Sequence, residues 1–478
     1  MAQKEPIPIK PVSGPPQTQF EEVSLYEAHK KIYPKKVSGL FNNLRIALVV
    51  FTQLIFYGFP WLVWNDRQAV LFDVVNRKFY LFGLTFFPQD FIYLAALLMC
   101  SALGLFLWTT IAGRLWCGYA CPQTVYTEIF LWIEQWIEGD RNQQIKLDKS
   151  SLSAKKIGIK SLKHSIWLVF SVWTGFTLVG YFTPMSMLMD EAKTLSFGSW
   201  EWFWIFFYGG MTYLFAGYMR EQVCKYMCPY ARFQSVMFDE DTLIISYDTV
   251  RGEPRGARKK DADLKAQGLG ECINCSVCVQ VCPVGIDIRN GLQYECIGCA
   301  ACIDACDEIM DKMSYPRGLI RYTTENAMDR VYPESQIWSR LKRPRVTMYS
   351  LVLFTVFGIA ITSLAFRQPV KVDILRDRAS LVRETDDGLL ENTYNLKLIN
   401  TSETPQKVQI SVSGLPSIRL IAENTTLLLP STGSENITVN VRTKPEEAPK
   451  GSHPIMFHIR SADEGGVSLD EKSSFIGE

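Results

Sequence analysis

Along the 478 residues the apolar positions follow two regimes: long unbroken runs up to residue 366, and alternation beyond it. Five runs, at about 44–64, 91–112, 165–183, 200–219 and 346–366, each approach the ~20 residues that a helix needs to cross a ~30 Å hydrocarbon core. The last four carry no Lys, Arg or Asp, and Glu201 sits at an edge. A helix on a soluble core keeps a polar stripe; these runs are apolar all round, the pattern of a span facing lipid. They predict a five-helix transmembrane bundle. From 367 to 478 the period becomes two, as in Tyr394–Ile399, Val408–Val412 and Ile437–Val441, with turn residues at short intervals. That pattern and length predict an immunoglobulin-like β-sandwich, although Cys and Trp are both missing from it.

The remaining polar stretches set the orientation. Residues 1–43 are expected to form a flexible arm, with Pro6, Pro8, Pro11, Pro15 and Pro16 followed by a basic patch at Lys30–Lys36. The first apolar run starts only near Leu44, so no secretory signal is expected. Lys and Arg number seven in the arm through Arg45 and eight in 113–164, against three in 65–90 and one in 184–199. Cytoplasmic loops carry that excess. The N-terminus, both C-x3-C-P motifs described below and the segment 230–345 are therefore expected on the cytoplasmic side, and 367–478 outside. A net charge of +1 supplies no field for nucleic acid.

Cysteine changes the picture most. Eight of the thirteen lie between Cys272 and Cys306, spaced C-x2-C-x2-C-x3-C-P and then C-x2-C-x2-C-x3-C. This is the bacterial ferredoxin run, in which each fourth Cys ligates the other cluster. One 4Fe–4S cluster is assigned Cys272, Cys275, Cys278 and Cys306, and the other Cys296, Cys299, Cys302 and Cys282, within a ferredoxin unit at about 262–315. Zinc knuckles would separate two C-x2-C pairs by a long insert, which is not the spacing here. Asp307 stands where a Pro would be usual, and all eight thiolates are still present.

Two further motifs, Cys117-Gly-Tyr-Ala-Cys121-Pro122 and Cys224-Lys-Tyr-Met-Cys228-Pro229, each follow a span that runs outside to inside. Parity alone places both on the face that carries the ferredoxin segment. Each Pro suits the first turn of a new helix. Behind Pro122, Val125, Ile129, Trp132, Ile133 and Trp136 form an apolar face opposite Glu128, Glu134 and Glu138, which predicts a helix lying in the membrane interface. Four converging thiolates would suit Cu(I), zinc or another iron–sulfur centre; packing cysteines or a redox disulfide are the alternatives. Cys100 reads as a small core residue. His29, His164, His453 and His458 offer no pair for a membrane haem.

Taken together, these motifs resemble the cytochrome c oxidase accessory protein family CcoG/FixG/RdxA, most closely over Cys228–Asp239, Asp241–Asp248 and Asn290–Cys299. A more distant likeness, to NapH-like quinol dehydrogenase subunits, is limited to the twin motifs and the clusters. The first resemblance implies a role in assembling a cbb-type haem–copper oxidase, with Cu(II) reduced to Cu(I) for copper chaperones and oxidase subunits or assembly factors. On that reading Cys117, Cys121, Cys224 and Cys228 are the candidate copper site. A quinol-linked electron-transfer subunit and a non-enzymatic scaffold or redox sensor are the competing functions. No nucleotide-binding glycine fingerprint identifies the electron donor.

Overall fold

The computed structural model describes residues 31–260, 267–378, 381–461 and 468–477. The proline-rich part of the expected arm and the first residues of the expected ferredoxin unit lie outside these. Among the described residues, four helices are long and apolar enough to cross a membrane: Leu40–Trp61, Pro88–Ala112, Ala154–Val179 and Pro344–Ala365. They contain α1 (Leu40–Gly58), α2 (Phe91–Ala112), the long helix Ala154–Val179 and the last helix, Pro344–Ala365. The run expected at 200–219 is composite. Ser199–Thr212 is α-helical and Tyr213–Met219 continues it as π-helix, so the α-helical part is only 14 residues long. π-Turns of this kind gather at functional sites, and a second one, Val223–Met227, follows directly.

Helices Ala154–Val179 and Ser199–Thr212 cross closely because Gly175 faces the Ile205 carbonyl oxygen at a point where a Cβ would come within 2.2 Å of it. Such small-residue crossings are how helices associate without a hydrophobic drive between them. Helix α2 packs along Pro344–Ala365, and the Tyr93 hydroxyl donates to the Ser363 carbonyl at 3.2 Å.

Helix Pro122–Glu138 departs from the interfacial expectation. Its acidic face turns inward: Glu134 is 1% exposed and Glu138 is buried, while Trp136 on the apolar side is 78% exposed. The Lys31 amine lies 2.9 Å from Glu134, the Arg220 guanidinium 2.8 Å, and Lys163 2.7 Å from Glu138. Cations from the arm, the long helix and the π segment therefore outbid water for these carboxylates. Burial works against the charge of Glu134, yet Arg220, Lys31 and Lys163 hold its carboxyl down at about 2.

Beyond one end of the helices stands the β-sandwich. Val370–Arg376, Leu390–Asn400, Ser434–Thr443 and Arg419–Ile421 form one sheet, with Arg383–Glu384 on its side. Thr426–Leu429, Gln406–Ser413, Gly451–Ser461 and Ser468–Gly477 form the other. Strand alternation sends Leu396, Leu398, Val408, Ile410, Val439, Val441, Phe457 and Phe475 into one core. The buried carboxylate of Asp90, just before α2, ties this domain to the bundle through Arg367 at 2.5 Å and through Lys371. The cysteine-rich unit sits at the opposite end of α2, where strand Ile244–Tyr247 pairs antiparallel with Ile320–Thr323.

Candidate electron-transfer site

The two ferredoxin runs fold alike for a local reason. In each C-x2-C-x2-C stretch the residues flanking the second cysteine take left-handed backbone: Asn274 and Ser276 around Cys275, Gly298 and Ala300 around Cys299. Left-handed turns interleaved with right-handed ones aim successive N–H groups inward and make a concave anion-binding nest, as at many iron–sulfur sites. Short helices then carry the third cysteines, Cys278 in Val277–Gln280 and Cys302 in Ala301–Met313.

The side chains group accordingly. One cavity is lined by Cys272, Cys275, Cys278 and Cys306, with Ile309, Met310, Leu319 and Ile320 around them. A second is lined by Cys282, Cys296, Cys299 and Cys302, with Ile245, Ile286, Ile288 and Ile297; Cys278 lines this one too. Burial pushes the thiols of Cys278 and Cys282 up to about 11 and those of Cys296 and Cys306 up to about 12. Thiolates there need positive charge supplied at the site, which iron provides when a cluster is bound. Among the described residues, no three His, Cys, Asp or Glu side chains close on a point as the ligands of a single metal ion do. A cubane asks for something else, since each thiolate binds its own iron and the four sulfurs stand apart around the core. The donor set, cysteines gathered in two apolar cavities, fits that group.

The C-x3-C-P motifs lie against the second cavity. Cys117 is on the short helix Leu115–Tyr119, and Cys121 caps Pro122–Glu138 in extended backbone. Cys224 is on the π turn, and Cys228 caps Pro229–Met237 in the same extended conformation as Cys121. Pro122 and Pro229 thus occupy first-turn positions. The motifs are stitched together: Gln123 Nε2 donates to the Phe215 and Arg220 carbonyls at 3.0 Å, Arg114 donates to the Ala231 carbonyl, and Cys117 Sγ donates to Gln234 Oε1 at 3.4 Å. The thiol of Cys224 lies within electrostatic reach of Cys121, Cys117 and Cys228, and its burial pushes it up to about 12. All four thiols are free. A groove lined by Tyr226, Met227, Cys228 and Arg232 opens from this site to the outside.

Gly118 makes the join to the ferredoxin unit. A Cβ there would come within 2.8 Å of the Cys299 backbone and the Ile297 carbonyl oxygen. Cys117 packs on the cluster of Val281, Ile297, Cys299 and Ala301. Cys278, Cys299 and Cys117 consequently lead from the first cavity through the second to the membrane-side cysteines. Sequence reasoning passed over Arg114, Gln234 and Gly118. Gly118 was legible as the small residue inside a cysteine motif, whereas nothing local marked the other two. His164 lies 2.9 Å from the Tyr213 hydroxyl through its Nδ1.

Family models match three segments: "4Fe-4S binding domain" over residues 94–142, "4Fe-4S dicluster domain" over 219–325, and "IG-like fold at C-terminal of FixG" over 360–478. Protein RdxA of Cereibacter sphaeroides is 40% identical over 95% of this chain and 98% of its own. The chain belongs to the RdxA/FixG family. Nitrogen fixation protein FixG of Rhizobium meliloti is 39% identical over 82% of this chain and 81% of its own, and protein RdxB of C. sphaeroides 40% over 85% and 87%. The crystal structure of a FixG-related protein from Vibrio parahaemolyticus aligns at 23% identity and a TM-score of 0.21, over 23% of this chain and 98% of that one. Members of this family with these domains are membrane iron–sulfur proteins of the electron-transfer, oxidoreductase type.

Proposed function

We propose that the protein reduces Cu(II) to Cu(I) at the inner membrane in support of cbb-type oxidase assembly. Two 4Fe–4S clusters would be held by Cys272, Cys275, Cys278 and Cys306 and by Cys296, Cys299, Cys302 and Cys282. Such clusters supply one-electron storage over a wide range of potentials, from about −700 to +450 mV. Cys117, Cys121, Cys224 and Cys228 form the terminal site where copper meets those electrons. Soft thiolate favours the Cu(I) product. The observation that carries this reading is the contact of Gly118 with the Cys299 backbone, which leaves no room for even a methyl group between the two sites.

On this reading the composite helix Ser199–Met219 is a fifth span, the clusters are cytoplasmic and the β-sandwich is periplasmic, where it meets oxidase subunits or copper chaperones. The test is anaerobic. Protein reduced with dithionite and freed of excess reductant is mixed with Cu(II) and a Cu(I)-specific chelator, while cluster absorbance is followed. Cu(I) should form as the clusters reoxidise, and the Cys117→Ala/Cys224→Ala double variant should lose it. Cu(I) yields that ignore cluster state would sink the proposal.

A second reading, a quinol-fed relay, is favoured by a large pocket between α1, Pro122–Glu138 and the ferredoxin unit. It is lined by Lys35, Arg45, Glu128, Trp132 and Gln135 and reaches Val281 and Pro283 on either side of Cys282. Cluster reduction by decylubiquinol would support that donor.

A further inference from the structure

The four membrane-side cysteines have neighbours that a copper ion leaves unexplained. Arg114 is 6% exposed and Gln234 is 0% exposed, yet Arg114 Nε and Gln234 Nε2 have no hydrogen-bond partner. Both atoms are donors, and a buried donor left without an acceptor is destabilising. Arg114 feels the thiols of both Cys117 and Cys296, so it stands between the four-cysteine site and the second ferredoxin cavity. Gln234 already touches Cys117 Sγ through its amide oxygen. Turning that amide over would present Nε2–H to a Cys117 thiolate.

The spacing of the thiols is also informative. The four lie within electrostatic reach of one another, yet no three converge on a single-ion position. The same combination holds for the two ferredoxin sets. The segment 94–142 that matches a 4Fe–4S model contains only Cys100, Cys117 and Cys121, too few to complete a cubane. Cys100 lies well inside α2, away from the motif, so the missing ligands must come from another segment. The π turn and the extended cap of Pro229–Met237 bring Cys224 and Cys228 to the site.

We propose that Cys117, Cys121, Cys224 and Cys228 hold a third 4Fe–4S cluster, with Arg114 and Gln234 donating N–H hydrogen bonds to its sulfurs. This rests on the electron-transfer reading above and refines it: copper takes its electron at the groove beside Met227 and Cys228 instead of residing among all four thiolates. Each site then stores one electron, and each electron passed to Cu(II) makes one Cu(I), with no proton moved.

The test uses the full-length protein in detergent, reconstituted anaerobically with iron and sulfide, with cluster iron counted by Mössbauer spectroscopy. Three clusters predict about twelve iron atoms per chain, and the Cys117→Ser/Cys224→Ser variant about eight. Dithionite-reduced wild type should then yield about three Cu(I) per chain, against about two for two clusters. Gln234→Leu should keep the iron count and lower the potential of one cluster only, because it removes a donor that favours the more negative reduced state. About eight iron atoms in wild type and double variant alike would overturn the proposal, even if copper reduction persists. Twelve iron atoms without copper reduction would uphold the cluster and instead overturn the copper reading.

Discussion

Substituting Gly118 with Ala tests the join between the membrane-side cysteines and the ferredoxin unit. The new Cβ would stand 2.8 Å from Cys299 Cα, Cys299 N and Ile297 O, where ordinary contact begins at 3.4 Å. The gap must therefore open by about 0.6 Å. All three obstructing atoms are backbone, so no side chain can rotate away. Overpacking of this kind costs about 1–3 kcal/mol. Placed on the docking of the two elements, that cost weakens the docked state about 5- to 150-fold. The fold itself survives, since domains hold about 5–15 kcal/mol. The assay has two arms, thermal unfolding followed by cluster absorbance, and stopped-flow reoxidation of reduced protein by Cu(II). Gly118→Ala should keep its iron, unfold at lower temperature and reoxidise more slowly. Gly358→Ala is the control, because a Cβ there meets nothing within 4 Å. Unchanged reoxidation and unfolding in Gly118→Ala would refute the view that this contact couples the two sites.

Other consequences follow from the same geometry. The Glu134 carboxyl, held at about 2 against an ordinary 4.5, contributes stability that is complete above pH 4.5 and is lost as pH falls toward 2; acid titration of unfolding should show this loss in wild type and not in Glu134→Gln. Lys163→Met leaves Glu134 and Glu138 short of a buried cation and should cost about 3–5 kcal/mol, read as a lowered denaturation midpoint. Cys306→Ser should remove about four iron atoms and perturb the spectrum of the cluster assigned to Cys272, Cys275 and Cys278, not that of the run in which Cys306 lies. Phe457→Ala empties a fully buried position stacked edge-on against Tyr394 at 5.3 Å. It should cost about 3–5 kcal/mol in the sandwich and leave cluster absorbance untouched.

Much of the fold was legible because its signals are local. Hydropathy needs only a window of residues, so the helices at Leu40–Trp61, Pro88–Ala112, Ala154–Val179 and Pro344–Ala365 were all visible in outline. The alternation at Tyr394–Ile399, Val408–Val412 and Ile437–Val441 marked strands that the sandwich contains. The pleat makes period two unavoidable once one face is buried. Helix Pro122–Glu138 shows where a window fails. Its amphipathic pattern was real, but a carboxylate face pointed at water and one pointed at buried lysines look the same in one dimension. Only the placement of Lys163 and Arg220 separates them.

The chemistry divides in the same way. Spacing alone determined that Cys272–Cys306 is a ferredoxin run, since loops of two residues leave the thiolates little freedom, whereas the common face of the two C-x3-C-P motifs was an expectation that hung on counting 200–219 as a span. Tertiary structure decided how the three sets meet. Cys278 lines both ferredoxin cavities, Gly118 packs on Cys299, and Arg114 and Gln234 stand buried with a free donor each beside Cys117. Arg114 is separated from Gln234 by more than a hundred residues, and no local pattern records that a buried donor at one end of such an interval lacks an acceptor at the other. Burial and hydrogen-bond accounting exist only after the chain has closed on itself.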